Sequence, residues 1–386
     1  AMEIVTVVTK KQKQDFINLP VKIYSGDNNW IRPLDKDIED VFDATTNKFF
    51  RHGSCVRFLL LSNNNCIGRV AAFINEKTAK REQYPTGGIG FFECIDDVNA
   101  AKILFDAAKK WLTERGMHAM DGPINFGERE AWWGLIVDGF SPPPYKMNYN
   151  KPYYKHLFEH YGFKEYFKQL CFGLDPKKEV DAKLIARHAI IAANKDYRFE
   201  CLQMNLMSKY AEDFKTVYNS AWVKHGEGKA LESHQVQAFF KKMKPVIDPK
   251  LVYYVYFKNE PVAFFINLPD INQLFKKFNG RFGIVEKLKF ITMLKMRSTK
   301  KIIGLVFGVV PQHQGLGVDS FMIVEASKII RLQLPYTEYE MQWIGDFNPK
   351  MVSVAQSLTT HQSRMLITYR KLFDEKRVFE RHPIFS

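Results

Sequence analysis

One order of elements is written twice in this chain, and that repetition limits its fold more than any other feature. In the first half, Val56-Arg57-Phe58-Leu59-Leu60-Leu61 reads as a strand, Asn63-Asn64-Asn65 as a hairpin turn and residues 67–73 as the returning strand. Residues 88–94 supply a third strand. Ala100, Ile103, Leu104, Ala107, Ala108, Trp111 and Leu112 then recur at helical spacing, and Gly116 is a stop. A strand over 117–124, a helix over 152–161 and a strand reaching Leu174 complete the set. The second half repeats it: a hairpin over 252–256 and 261–266, a strand over 301–310, a glycine loop, a helix to about Leu332, a strand over 338–344, a helix from Pro349 and a strand over 364–372. Recurrence at this length argues duplication rather than a solenoid, whose periods are roughly 20–50 residues.

A chain of 386 residues is too long for one ordinary core. The polar break Asp175-Pro176-Lys177-Lys178 divides it into an α/β domain over 1–175 and another over 176–386. Residues 20–50 are polar and turn-rich, and we expect them to wrap the first domain. No apolar run is long enough to span a membrane, and the first residues lack the pattern of a signal peptide. The five cysteines are scattered and form no CxxC pair, which speaks against a disulfide framework or a structural metal. These features lead us to expect a soluble, cytoplasmic protein without metal. The formal charge of +14 suits a polyanionic partner, such as nucleic acid, an anionic membrane surface or a phosphorylated cofactor, without choosing among them.

The most specific motif is Val309-Val310-Pro311-Gln312-His313-Gln314-Gly315-Leu316-Gly317-Val318. An apolar strand ends, a glycine turn follows, and a helix starts at once. The first amides of a helix have no intrahelical acceptor and carry the positive end of its dipole, so they form a site for phosphate. Gly315 and Gly317, lacking Cβ, let backbone approach an anion closely.

Gln312-x-x-Gly315-x-Gly317 in this strand–loop–helix setting resembles the pyrophosphate signature of the GNAT (Gcn5-related N-acetyltransferase) superfamily. In the first half, Asn150-Lys151-Pro152-Tyr153-Tyr154 leading to Tyr161-Gly162-Phe163 is similar to that family's last helix, and Asn348-Pro349 stands at the matching place in the second. The resemblance implies two GNAT-like domains, each a mixed, mostly antiparallel sheet flanked by helices. It implies acetyl-CoA or another acyl-CoA as cofactor, held by residues 309–318 apart from Pro311, and transfer of the acyl group to an amine on a small molecule or peptide. The tandem arrangement also resembles the Fem-type aminoacyl transferases and N-myristoyltransferases in architecture. Two departures qualify it. Glu93, Asp96 and Asp97 occupy the first half's glycine-loop position, where they would repel phosphates, so that half is read as degenerate. Ala355 lies where many members carry the tyrosine that protonates the leaving thiolate.

An amine acceptor must lose a proton, and a general base is the usual means. Glu340, among apolar residues on the strand at 338–344, is the candidate; Asn348 is a candidate to bind the pantetheine or substrate. Residues 271–301 hold nine basic residues against Glu286, interleaved with aromatics, a pattern suited to a membrane surface, an RNA or the CoA 3′-phosphate. Glu128-Arg129-Glu130-Ala131-Trp132-Trp133 suits the wall of a substrate pocket. Competing readings are an inactive GNAT-fold binding protein and a Fem-like aminoacyl transferase using charged tRNA.

Overall fold

The computed structural model describes residues 1–223, 229–358 and 360–386. The first half runs β1 (Met2–Thr6), α1 (Lys10–Ile23), α2 (Asp35–Val41), β2 (Gly53–Ser62), β3 (Asn65–Asn75), α3 (Glu76–Ala79), β4 (Thr86–Cys94), α4 (Val98–Thr113), β5 (Ala119–Gly122), β6 (Leu135–Asp138), α5 (Tyr154–Tyr161) and β7 (Lys164–Leu174). The second runs α6 (Ala182–Ala192), β8 (Tyr197–Cys201), α7 (Met207–Tyr218), α8 (Ser233–Met243), β9 (Val252–Phe257), β10 (Glu260–Pro269), α9 (Asn272–Phe275), α10 (Ile284–Lys295), β11 (Lys301–Val309), α11 (Val318–Gln333), β12 (Glu338–Met341), β13 (Ile344–Gly345), α12 (Pro349–Gln356) and β14 (His361–Leu372). β1 to β7 and β8 to β14 follow one plan.

All the strands of the described residues belong to one sheet, whose main path is β1-β2-β3-β4-β5-β14-β7-β12-β11-β10-β9-β8. Each half lends its last strand to the other: β14 lies beside β5, and β7 lies beside β12. The short strands obey the same exchange, β6 pairing with β14 and β13 with β7. Among the described residues, only β4/β5 and β11/β12 are parallel pairs.

Helices cover both faces, because the alternating strand residues are apolar on both. In the first half, α4 and α5 bury Leu104, Phe105 and Phe158 against Leu60 and Ile89. On the opposite face α1 and α2 bury Phe16 and Ile38 against Phe73 and Phe126. In the second half Ile330 on α11 packs with Ile302 and Tyr339. The N-terminal segment is more regular than the sequence suggested. Thr9 caps α1 in a reciprocal box with Gln12, and β1 extends the sheet beside β2. The strand expected over 338–344 is split: Gln342 donates to the Gly304 carbonyl, and β13 turns to β7.

Candidate active site

β11 and β12 pair over only four residues, from Lys301↔Glu338 to Gly304↔Met341. Opposite this point β10 and β11 slip register between Ile266 and Asn267. A bulge increases twist and bends a strand. β11 therefore leaves β12, and the edge of Leu305, Val306 and Phe307 that would have faced it carries no strand. Leu305, Val306 and Phe307 are half-buried there.

The splayed strand delivers the chain to the glycine loop. Gly315 has φ +75° and Gly317 φ +103°, both left-handed conformations that favour glycine. Gln312, Gln314, Gly315 and Leu316 are exposed, and a Cβ on Gly315 would meet nothing within 4 Å. α11 starts after Gly317 with no side-chain cap. Phe321 donates to the Gly317 carbonyl, leaving the preceding amides as the orphan donors of the helix start. Gly317 itself faces the other way: a Cβ there would sit 3.3 Å from the Arg187 carbonyl on α6. Its smallness serves the close approach of α6, and Val318 behind it is wholly buried. Three further loop residues are engaged within the protein. The Gln314 side-chain Nε2 donates to the Val309 carbonyl at 2.9 Å, and the Val310 main-chain amide donates to the Val262 carbonyl. His313 holds its Nδ1 2.7 Å from the Tyr197 hydroxyl and packs on Phe257; burial pushes its pKa down.

The matching helix start in the first half is closed. Asp97 caps α4, its carboxylate accepting from the amides of Asn99 and Ala100 at 2.7 and 3.2 Å. A side-chain anion thus occupies the position a phosphate would need. Glu93 is buried beside it among Arg69, Tyr24 and Tyr154; burial raises its carboxyl to about 7, against the opposing pull of Arg69 and the two hydroxyls.

Below the glycine loop, one stripe of α11, Ile323, Ala326, Ser327 and Ile330, lines a cavity of 350 Å³. Phe265, Tyr339 and Met341 form its floor, and the connection from Leu174 to Leu184 roofs it. At about 1.5 Å per residue along a helix, this wall begins roughly 9 Å from Gly317. The size and apolar lining are those of a small-ligand site.

A second cavity, of 340 Å³, opens where the halves meet. Its walls include Asn125, Glu128, Arg129 and Trp133 from the segment after β5, Asp121, Thr368 on β14, and His382. The Arg129 guanidinium lies 5.5–5.9 Å from the ring centres of Trp133, Phe167, Trp343 and Phe347, the last two from the second half. Asn125 Oδ1 and Trp133 Nε1 are buried without a hydrogen-bond partner among the described residues. His382 stacks on Phe347 with ring centres 4.0 Å apart. Its Nδ1 is 2.7 Å from the Pro383 carbonyl, which can only accept, so Nδ1 carries the proton and Nε2 is left as an acceptor. Burial, with help from Arg129 and Arg370, lowers the His382 pKa and favours the neutral ring. Sequence reasoning singled out the segment 128–133 but missed Asn125 and His382. His382 is remote in sequence from every motif, and only the fold brings it here.

Glu340 needs correction as a base. It is 2% exposed, with Lys301 Nζ at 2.7 Å, Arg364 Nε at 2.7 Å and Ser363 Oγ at 2.6 Å. Burial alone would raise its carboxyl, but Arg364 and then Lys301 hold it at about 2. An anion so clamped will not take a proton from an amine near neutrality. Asn348 caps α12, its Oδ1 accepting from Met351 at 3.4 Å, so helix capping accounts for that oxygen. Ala355 is buried on α12 and offers no hydroxyl.

A duplicated mixed sheet with a splayed parallel pair and an uncapped helix after a glycine loop is the GNAT fold, and this chain carries it in tandem. It superposes on a tandem GNAT protein from the clavulanic acid biosynthesis pathway, with TM-score 0.54 and 9% identity, covering 98% of this chain and 100% of that one. The GCN5-related glucosamine N-acetyltransferase region of a fungal multi-domain β-N-acetylglucosaminidase matches with TM-score 0.54 and 11% identity, over 96% of this chain and 38% of that one. Two curated proteins match along nearly their whole length. The "Bacterial ceramide synthase" of Caulobacter vibrioides is 26% identical over 378 residues, 96% of this chain and 97% of that protein. "Protein YghO" of Escherichia coli is 23% identical over 372 residues, 95% and 94% of the two chains. No family model matches the chain.

Proposed function

We propose that this protein is an acyl-CoA-dependent N-acyltransferase whose acceptor is a long-chain amine of the ceramide-forming kind. The observation that carries the reading is the contrast between the two helix starts: α4 is closed by Asp97, while α11 presents its amides beside the exposed Gly315. The open edge of β11 and the apolar cavity next to it fit a pantetheine arm with its acyl chain. The end-to-end likeness to a ceramide synthase supports an acyl group longer than acetyl and an amine that itself carries a hydrocarbon chain. Acyl-CoA, when bound, supplies an activated thioester. The protein's part is to hold the diphosphate on the amides from Gly315 onward, to exclude water with the 174–184 roof, and to hold the amine in the interface cavity. There Asn125 Oδ1 would accept from the ammonium or a neighbouring hydroxyl, and His382 Nε2 would take the amine's proton as the nitrogen bonds the acyl carbon and the C–S bond breaks, then return that proton to the leaving thiolate. A second reading, binding without turnover, is favoured by Ala355 and by the clamped Glu340.

Thermal unfolding with CoA, acetyl-CoA and palmitoyl-CoA tests the site. A ligand that binds only the folded state at a hundredfold excess over its Kd adds about 2.7 kcal/mol, enough to raise Tm by several degrees. Palmitoyl-CoA should give the largest rise. Gly315→Glu, which puts a carboxylate at the phosphate position, should abolish it. Mass spectrometry after incubation with sphinganine then separates the readings: N-acyl product supports transfer, and a Tm rise without product supports binding alone. No rise with any CoA species would remove the reading altogether.

A further inference from the structure

The basic insertion between β10 and β11 contains a helix that is apolar on two sides, and the fold uses only one. Phe290 is buried, and Met293 and Leu294 pack with it against Phe275 and Phe278 and against Leu34 of the first half. Hydrogen bonds fix this inner side to the first half: Asn272 Nδ2 donates to the Pro143 carbonyl at 2.8 Å, and the Asp35 amide donates to Gly280. The outer side of α10 is Ile284, Leu288 and Ile291, which are 79%, 63% and 48% exposed, with Val285 beside them at 58%. The first three stand at i, i+4 and i+7, one stripe of a helix. Such a stripe is not needed by the core and costs free energy in water.

The charges around it say what it meets. Lys287 and Lys289 flank the stripe on its two sides, Lys295 continues it, and Lys277 and Arg281 lie just before the helix; all five are exposed. The one acid on α10, Glu286, is turned back onto the Gly283 amide at 2.9 Å, where it caps the helix. A row of aliphatic side chains bordered by ammonium groups is the composition of a helix lying in a bilayer interface. The apolar row enters the acyl boundary, and the lysines extend to headgroup level. An RNA site would instead present stacking rings, and the phenylalanines here face inward. No helix among the described residues is long and apolar enough to cross a membrane.

We infer that the outer face of α10 docks the protein on an anionic lipid bilayer, with Ile284, Leu288 and Ile291 entering the interface. The inference concerns binding alone and goes beyond the proposed reaction.

The test is sedimentation of the full chain with vesicles of phosphatidylcholine, with and without phosphatidylglycerol, in the absence of substrate. The protein should pellet with the anionic vesicles and much less with the neutral ones, and high salt should weaken binding. Ile284→Ser, Leu288→Ser and Ile291→Ser together should cut the partition coefficient about a hundredfold. Because these side chains are exposed, Tm should not change. Lys287→Glu with Lys289→Glu should remove the preference for anionic vesicles. The inference is overturned if the wild-type chain stays in the supernatant with both vesicle types, or if the serine variant binds as the wild type does. It is overturned equally if the serine changes abolish a dimer, or a complex with tRNA, while vesicles bind neither form. Palmitoyl-CoA stabilisation is read separately, so either proposal can fail without the other.

Discussion

Replacing Glu340 by glutamine would leave the Lys301 ammonium and the Arg364 guanidinium facing a neutral amide inside the sheet. Removing one partner of a buried ion cluster costs about 3–5 kcal/mol, and urea unfolding at pH 7 should show a loss of that order. The sign of its pH dependence follows from the carboxyl, which lies at about 2 instead of its ordinary 4.5. A carboxyl lowered by folding contributes stability that is complete above its unfolded pKa and is lost as pH falls from about 4.5 toward about 2. The gap between wild type and Glu340→Gln should therefore narrow over that interval; a constant gap would show that the carboxylate charge is not what stabilises the cluster. His382 makes the opposite kind of prediction. If its neutral ring takes the proton from the amine, turnover should fall as pH drops below the ring's pKa, which folding lowers beneath 6.5. His382→Gln should lose that acid limb and about a hundredfold or more in kcat, while the Tm rise with palmitoyl-CoA persists. A mutant with an unchanged pH–rate profile would remove His382 from the mechanism.

At the scale of elements, two helix starts in matching positions differ by a single capping residue. Asp97 is an ordinary cap worth about 1 kcal/mol to its helix, and by filling the donors of α4 it also closes that site. At the other start, Gly317 contributes no side-chain acceptor. This contrast was legible in the sequence, because capping and glycine loops are local, and so were the hairpins at 63–65 and 258–260 and the periodic helices α4 and α11. The exchange of β7 and β14 was not, since both carry the same alternating pattern and nothing local tells a strand which neighbour it will pair with. Glu340 was misread for a related reason. Its apolar flanks announced burial, but Arg364 comes from a strand whose place in the sheet was unknown. His382 and Asn125 lay beyond sequence reasoning because the interface cavity is assembled from both halves.

For the whole molecule, the exchange makes the two halves depend on each other. β14 pairs with β7 from His361↔Gly173 to Arg370↔Lys164 and with β5 from Tyr369↔Gly122 to Leu372↔Ala119, so both of its neighbours come from the first half. Without it, a fragment of residues 1–175 would expose an unpaired edge on β5 and strip β7 of both flanking strands. A fragment of 176–386 would keep β11 beside β12 but lose β7 from its other edge, and would leave β14 with neither of its neighbours β5 and β7. Unpaired, hydrophobic edges aggregate rather than fold. The intact chain should unfold in one cooperative transition by circular dichroism and by tryptophan fluorescence, with coincident midpoints. Each fragment made alone should be insoluble or lack near-ultraviolet dichroism, and the two made together should assemble into a particle of the size of the full chain. A fragment 1–175 with sharp near-ultraviolet bands and its own cooperative melt would show that the first half completes its sheet without the exchanged strand. In that case the interface cavity, which needs Thr368 of β14 beside Arg129, would have to form by docking of two finished domains instead of by their shared folding.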